Sequence, residues 1–306
     1  MPDLTQLKSV SEPVSTRLLA ALFCLFLALS AAGCATGGKD DSNMTVGELT
    51  ANKLAPQPVG FTKFSGIADY AFKDLPLKVE WMGCKPATEK ATVLVMHRDR
   101  AGYDAARFCD GWIAQTFLSN NVTIIAINRP GFGNSNGRAD FSGPKTVAAT
   151  IPAIEAALKA MSPKNPPTGI WGYSSGASAA LFTCKAQKGI AWAIVGGGVY
   201  DLDDTKKTSS DSYLKREIDD VKNSEGQKGI EDRSISYDVS GLPKRVLIYH
   251  GKQDTAVPTS QAISFAETLN ANEYQATVQL IDGAGHDIPA DTHRQILEVL
   301  LHSMLR

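Results

Sequence analysis

No surplus of either charge marks this chain: 31 lysines and arginines meet 32 aspartates and glutamates, for a formal net charge of -1. Without a basic excess there is no electrostatic footprint for a phosphate backbone, so nucleic acid is not expected as a partner. No CxxC, HExxH or comparable ligand spacing occurs, and no metal is expected. No internal repeat is visible, and the apolar runs stop short of the roughly 20 residues a spanning helix needs. Cysteine is scarce, at five residues. What remains is a composition of 43% hydrophobic and 21% charged residues. This is ordinary globular usage, which excludes a disordered or collagen-like chain and predicts a packed core.

The amino-terminal segment stands apart from that core. Lys8 and Arg17 precede an apolar run from Leu18 to Ala32, followed by Gly33 and Cys34, the layout of a secretory signal. The closing LSAAGC resembles the lipobox of bacterial lipoprotein signal peptides, with Ala31 where leucine is usual. The resemblance implies cleavage after residue 33, lipidation of Cys34 and attachment of a soluble domain to a membrane through acyl chains. Ala35 after the cysteine points to the outer membrane, facing the periplasm. A translation start at Met44 would instead leave the protein in the cytoplasm. Residues 34–60, rich in Gly, Asp, Asn and Pro, read as a tether, and residues 61–306 as the functional domain. In an oxidising compartment Cys84, Cys109 and Cys184 allow one disulfide. Cys184 falls in an apolar helical stretch, ALFTCKA, so Cys84 with Cys109 is the preferred pair.

Through the domain, short β-branched runs alternate with helical periodicity. Residues 91–97, 121–128, 168–172, 190–196, 244–250 and 276–282 are nearly continuous apolar runs, as expected of parallel strands covered on both faces. Helical spacing fills 104–118, 146–161, 175–187, 260–271 and 291–304, and an antiparallel pair of strands is expected within 61–83. The expected architecture is α/β, a mostly parallel eight-stranded sheet flanked by helices on both faces.

At the end of the run 168–172 stands Gly172-Tyr173-Ser174-Ser175-Gly176, with a helix after it. GxSxG alone is weak; between a strand and a helix it marks a sharp turn that exposes a nucleophilic serine. Serine needs a base, and the base needs an orienting acid. Of five histidines, His293 and His302 fall on the last helix, while His97 and His250 end strands. His286 sits in a glycine-flanked loop, AGHD, after the final strand, from which an imidazole can reach back over the sheet. Asp254 in HGKQDTAVP, one strand earlier, is the acid; Asp201, Asp282 and Asp287 are its rivals. The order Ser174, Asp254, His286 differs from that of the two familiar serine protease folds.

These segments resemble the α/β-hydrolase superfamily over residues 60–306. NRPGFGNSNG (128–137) is similar to the loop after its fourth strand, and DRSISYDVSGLPKRVLIYHGKQDTAVP is similar to dienelactone-hydrolase-like and prolyl-oligopeptidase-like members. The resemblance implies hydrolysis through an acyl-enzyme without a cofactor. It also implies an oxyanion hole from the amide of Ser175 and one from the loop after the third strand, here Arg98 or Asp99. That loop departs from the family: His97-Arg98-Asp99-Arg100-Ala101-Gly102 replaces a glycine run. Arg98 and Arg100 could serve an anionic substrate group. The insertion at about 201–243, where relatives build a lid, is charged and carries one apolar stripe, Leu214, Ile218 and Val221. Without a broad apolar outer face it favours a soluble ester, lactone or small acyl substrate over triglyceride. The alternatives are a serine peptidase for small peptides and a catalytically silent binding module of the envelope.

Overall fold

The computed structural model describes residues 60–99 and 102–305. The signal-like segment, Cys34 and the tether up to residue 59 lie outside the described residues, as do Arg100 and Ala101.

Strands β1 (Phe61–Phe72) and β2 (Leu75–Pro86) form an antiparallel hairpin. Lys73 and Asp74 turn it with φ of 50° and 63°, the positive pair of angles whose twist matches that of the strands. Then follow β3 (Ala91–Met96), α1 (Trp112–Ser119), β4 (Val122–Asn128), α2 (Pro144–Met161), β5 (Pro167–Tyr173), α3 (Ser175–Ala186) and β6 (Trp192–Gly196). The insertion supplies α4 (Leu202–Thr208) and α5 (Ser212–Glu231), and β7 (Arg245–Gly251), α6 (Ser260–Ala271), β8 (Gln275–Ile281) and α7 (Ala290–Met304) complete the domain.

All eight strands join one sheet in the order β1-β2-β4-β3-β5-β6-β7-β8, parallel from β4 onward. Every residue of β3 and β4 is buried, because helices cover both faces. Leu94 and Met96 pack with α2, α3 and α6, while Val93 and Val95 face α1 and α7. The chain leaves β3 for β4 on one side and reaches β5 on the other, so strand order reverses between β3 and β5. In open α/β sheets the crevice at such a reversal is where ligands bind.

In the insertion, Asp201 and Asp211 cap the two helices by accepting hydrogen bonds from Asp204 N and from Tyr213 N and Leu214 N. Leu214, Ile218 and Val221 recur at helical spacing and are buried with Val199, Leu202 and Val257, so the stripe faces the domain. Cys84 on β2 is bonded to Cys109 in the turn before α1, at an S–S distance of 2.06 Å, and Cys184 is buried and free.

Candidate active site

Ser174 occupies the step from β5 into α3 with φ 56° and ψ -130°, a region L-residues rarely enter. Its amide donates to Gly196 O at 2.8 Å, which fixes the turn to the neighbouring strand. The flanking glycines are required by contact. A Cβ on Gly172 would lie 2.1 Å from Gly176 O, and one on Gly176 would lie 2.5 Å from His97 O. The second distance also places the end of β3 directly against the first turn of α3.

The loop after β8 brings His286 over this turn. Ser174 Oγ lies 2.9 Å from His286 Nε2, and His286 Nδ1 lies 2.8 Å from Asp254 Oδ2. With the proton on Nδ1 donated to the carboxylate, Nε2 is left to accept from the serine. Asp254 Oδ1 accepts from Val257 N at 2.8 Å, and Oδ2 also lies 3.2 Å from His250 Nε2. Burial works against the Asp254 charge, yet the hydrogen bonds from His250 and His286 outweigh it and hold the carboxyl down at about 2. Asp254 is therefore an anion at neutral pH. Tyr173 donates its hydroxyl to His286 O at 2.6 Å, so the residue before Ser174 also steadies the His286 loop.

The rival residues have other partners. Asp201 caps a helix, Asp282 pairs with Lys252 on the surface, and Asp287 pairs with Arg98. His302 is exposed. The histidines read as strand ends are fully buried: His97 lies between Arg98 O (2.7 Å) and Arg129 N (3.0 Å), and His250 donates to Val257 O (2.7 Å) as well as touching Asp254. Burial and the Arg129 charge push His97 well below the ordinary histidine value, so it is neutral, donating from Nδ1 and accepting at Nε2.

Sequence reasoning gave no role to Arg129, the second residue of NRPGFG. Its guanidinium is 2% exposed and donates to Ser142 Oγ (2.8 Å), Asp99 Oδ1 (2.9 Å) and Ser175 Oγ (3.0 Å), while its amide holds His97. One buried cation thus ties the loop after β3 to the residue after Ser174. Asn128 holds the far end of that loop, accepting from Tyr103 N at 2.7 Å and donating to Tyr103 O at 2.8 Å. Buried Glu80 in turn accepts from Asn128 at 2.6 Å. Of the expected oxyanion residues, Ser175 opens α3, where a first-turn amide has no partner within the helix. Arg98 turns its side chain to Asp287 (2.6 Å) and Asp99 turns its carboxylate to Arg129. Arg100 lies outside the described residues.

Two of the hollows among the described residues can be compared. The larger, about 640 Å³, lies among Pro144, Phe182, Lys185 and Asp238, and its lining includes none of Ser174, Asp254 and His286. The smaller, about 280 Å³, adjoins the loop after β3 and is lined by His97, Arg98, Tyr103, Trp112, Tyr173 and His293 among others. Among the described residues no three His, Cys, Asp or Glu side chains gather as metal ligands.

Residues 110–302 match the prolyl oligopeptidase family, a span that holds Ser174, Asp254 and His286. The chain belongs to the prolyl oligopeptidase family. Family membership supports a serine-hydrolase type of mechanism. No curated protein matches it in sequence. Among solved structures, Pyrococcus horikoshii acylaminoacyl peptidase is similar with a TM-score of 0.62 at 17% identity, over 79% of this chain and 41% of that one. A puromycin-hydrolyzing peptidase of Mycobacterium tuberculosis aligns with a TM-score of 0.60 at 18% identity, over 78% and 37%. A Pyrococcus furiosus esterase aligns with a TM-score of 0.57 at 17% identity, over 82% of this chain and 97% of its own. These likenesses show the α/β-hydrolase fold. The chain spans about two-fifths of the length of the acylaminoacyl peptidase it matches.

Proposed function

We propose that this prolyl oligopeptidase family member is a serine hydrolase that cleaves small peptides or acylated amines through an acyl-enzyme. The hydrogen-bond chain Ser174–His286–Asp254, at 2.9 and 2.8 Å on a strained turn, carries the reading. Ser174 Oγ attacks the substrate carbonyl and its proton passes to His286 Nε2; Asp254, anionic throughout, stabilises the imidazolium. The tetrahedral oxyanion is met by the amides of Ser175 and of Arg98 or Asp99. His286 returns the proton to the leaving amine, and a water then repeats the sequence to release the acid. The sequence alone favoured an ester or lactone. Family membership shifts preference to the peptide alternative, because an amide is the bond the family's name describes. The ester reading is kept by the Pyrococcus furiosus esterase, which is matched over nearly its full length.

Matched panels of aminoacyl amides and aminoacyl esters, assayed with the wild type and with Ser174→Ala, test the proposal. Amide turnover lost in the variant supports it, ester turnover alone favours the second reading, and turnover that survives in the variant removes both. For the amino-terminal segment, we propose lipidation at Cys34 and an envelope location. Metabolic labelling with palmitate, absent in Cys34→Ala, is the expected result.

A further inference from the structure

We propose that the cavity of about 280 Å³ between the loop after β3 and the start of α7 receives a neutral aromatic ring of the substrate. The proposal rests on the reading of Ser174 as the nucleophile, since it takes its orientation from that atom.

Position comes first. Tyr173 in the cavity wall directly precedes Ser174, Ile288 follows His286 by two residues, and Arg98 begins the loop expected to supply an oxyanion amide. The same Tyr173 reaches His286 O at 2.6 Å, which ties the cavity wall to the loop that carries the histidine. The volume lies just under the roughly 300 Å³ at which sites for whole drug-sized ligands begin, so it suits one group of a substrate whose remainder lies outside.

Chemistry narrows the group. Trp112 stacks on His293 with centroids 5.2 Å apart and meets Trp171 edge-on at 6.2 Å, and Tyr173 meets His293 edge-on at 4.5 Å. Another ring can join such an array by the same offset and edge-to-face contacts. The buried polar atoms of these walls are already engaged. Trp171 Nε1 donates to Tyr249 Oη (3.2 Å), Tyr173 Oη donates to His286 O (2.6 Å), and both nitrogens of His97 are bonded. Burial and the nearby Arg98 and His286 hold His293 down at about 4, which keeps that wall uncharged at neutral pH. Arg98 bears a charge, but it is paired with Asp287 and discourages a cationic guest. The wall is also held in place: Asn128 grips the Tyr103 backbone at both its N–H and its C=O. A preformed slot favours a rigid planar group over a flexible chain.

The test separates this pocket from the chemistry by measuring binding to the full chain carrying Ser174→Ala. Calorimetric titration with N-benzylacetamide and N-butylacetamide should show the benzyl compound roughly 10-fold tighter. The advantage should vanish when Trp112→Ala or Ala290→Trp is added; the second change fills the rim from an exposed position and guards against misfolding by the first. Equal binding of the two amides, an advantage that survives both variants, or tighter binding of benzyltrimethylammonium would overturn the proposal. Because no turnover is needed, failure here leaves the role of Ser174 intact, whereas failure of Ser174 to react with an acylating probe removes the reading on which the proposal rests.

Discussion

Two segments meet at the carboxyl edge of the sheet, and they are held by different means. The turn at Ser174 is shaped by its own backbone: glycines at 172 and 176 let α3 pack within a Cβ radius of β5 and β3, and a positive φ at Ser174 follows. The loop after β3 has no such local rule. Besides His97, which holds the next carbonyl, its described residues are gripped by side chains distant in sequence, Arg129 on the Asp99 carboxylate and Asn128 on the Tyr103 backbone, with Glu80 behind Asn128. Steric necessity writes a short motif into the chain, whereas a polar network spreads over some fifty residues and leaves none.

Substitutions can break either side of that contrast. The largest effect is expected at the turn: in Gly172→Ala the new Cβ has backbone 2.1 Å away and no flexible side chain to move, so the fold should lose at least about 4 kcal/mol, read by chemical denaturation. Acid should weaken the aromatic side of the site next. His293, held at about 4 when folded against 6.5 when free, takes up its proton more readily unfolded. Stability is then full above about pH 6.5 and falls by about 3 kcal/mol as the pH drops to 4. In His293→Gln the loss of melting temperature over that window should be smaller, the remainder coming from His97, which shifts in the same direction.

At the loop, Arg129→Met removes the link between Asp99 and Ser175 while leaving the Ser174–His286–Asp254 hydrogen bonds untouched. Turnover number should fall roughly 10- to 100-fold with little change in KM, and Arg129→Lys should recover part of it. The smallest effect is expected for Arg98→Ala. Its guanidinium forms a solvent-exposed pair with Asp287, worth less than about 1 kcal/mol, and the backbone amide survives the change. A large loss there would mean that the side chain itself contacts substrate.

The same contrast explains what the sequence disclosed. The strand runs stand out because strands covered on both faces admit few polar residues, and Ser174, Asp254 and His286 stand out because each lies where a strand ends in a turn-forming segment. His250 was passed over because a histidine at a strand end carries no sign that its nitrogen meets Asp254 four residues on. Arg129 had a fainter signal: an arginine directly after the fully buried strand β4 enters the interior edge of the sheet, where a charge must find partners. The aromatic cavity was unreadable, since Tyr103, Trp112, Trp171 and His293 come from four separate segments.

The central claim is that Ser174 is activated by His286 and Asp254. Intact mass of the full chain after exposure to a fluorophosphonate tests it most directly, with Ser174→Ala and Asp254→Asn alongside. One adduct on the wild type, none on Ser174→Ala and much slower labelling of Asp254→Asn is the predicted result. An unlabelled wild-type protein that is folded by circular dichroism, or labelling that persists without Ser174, would contradict it.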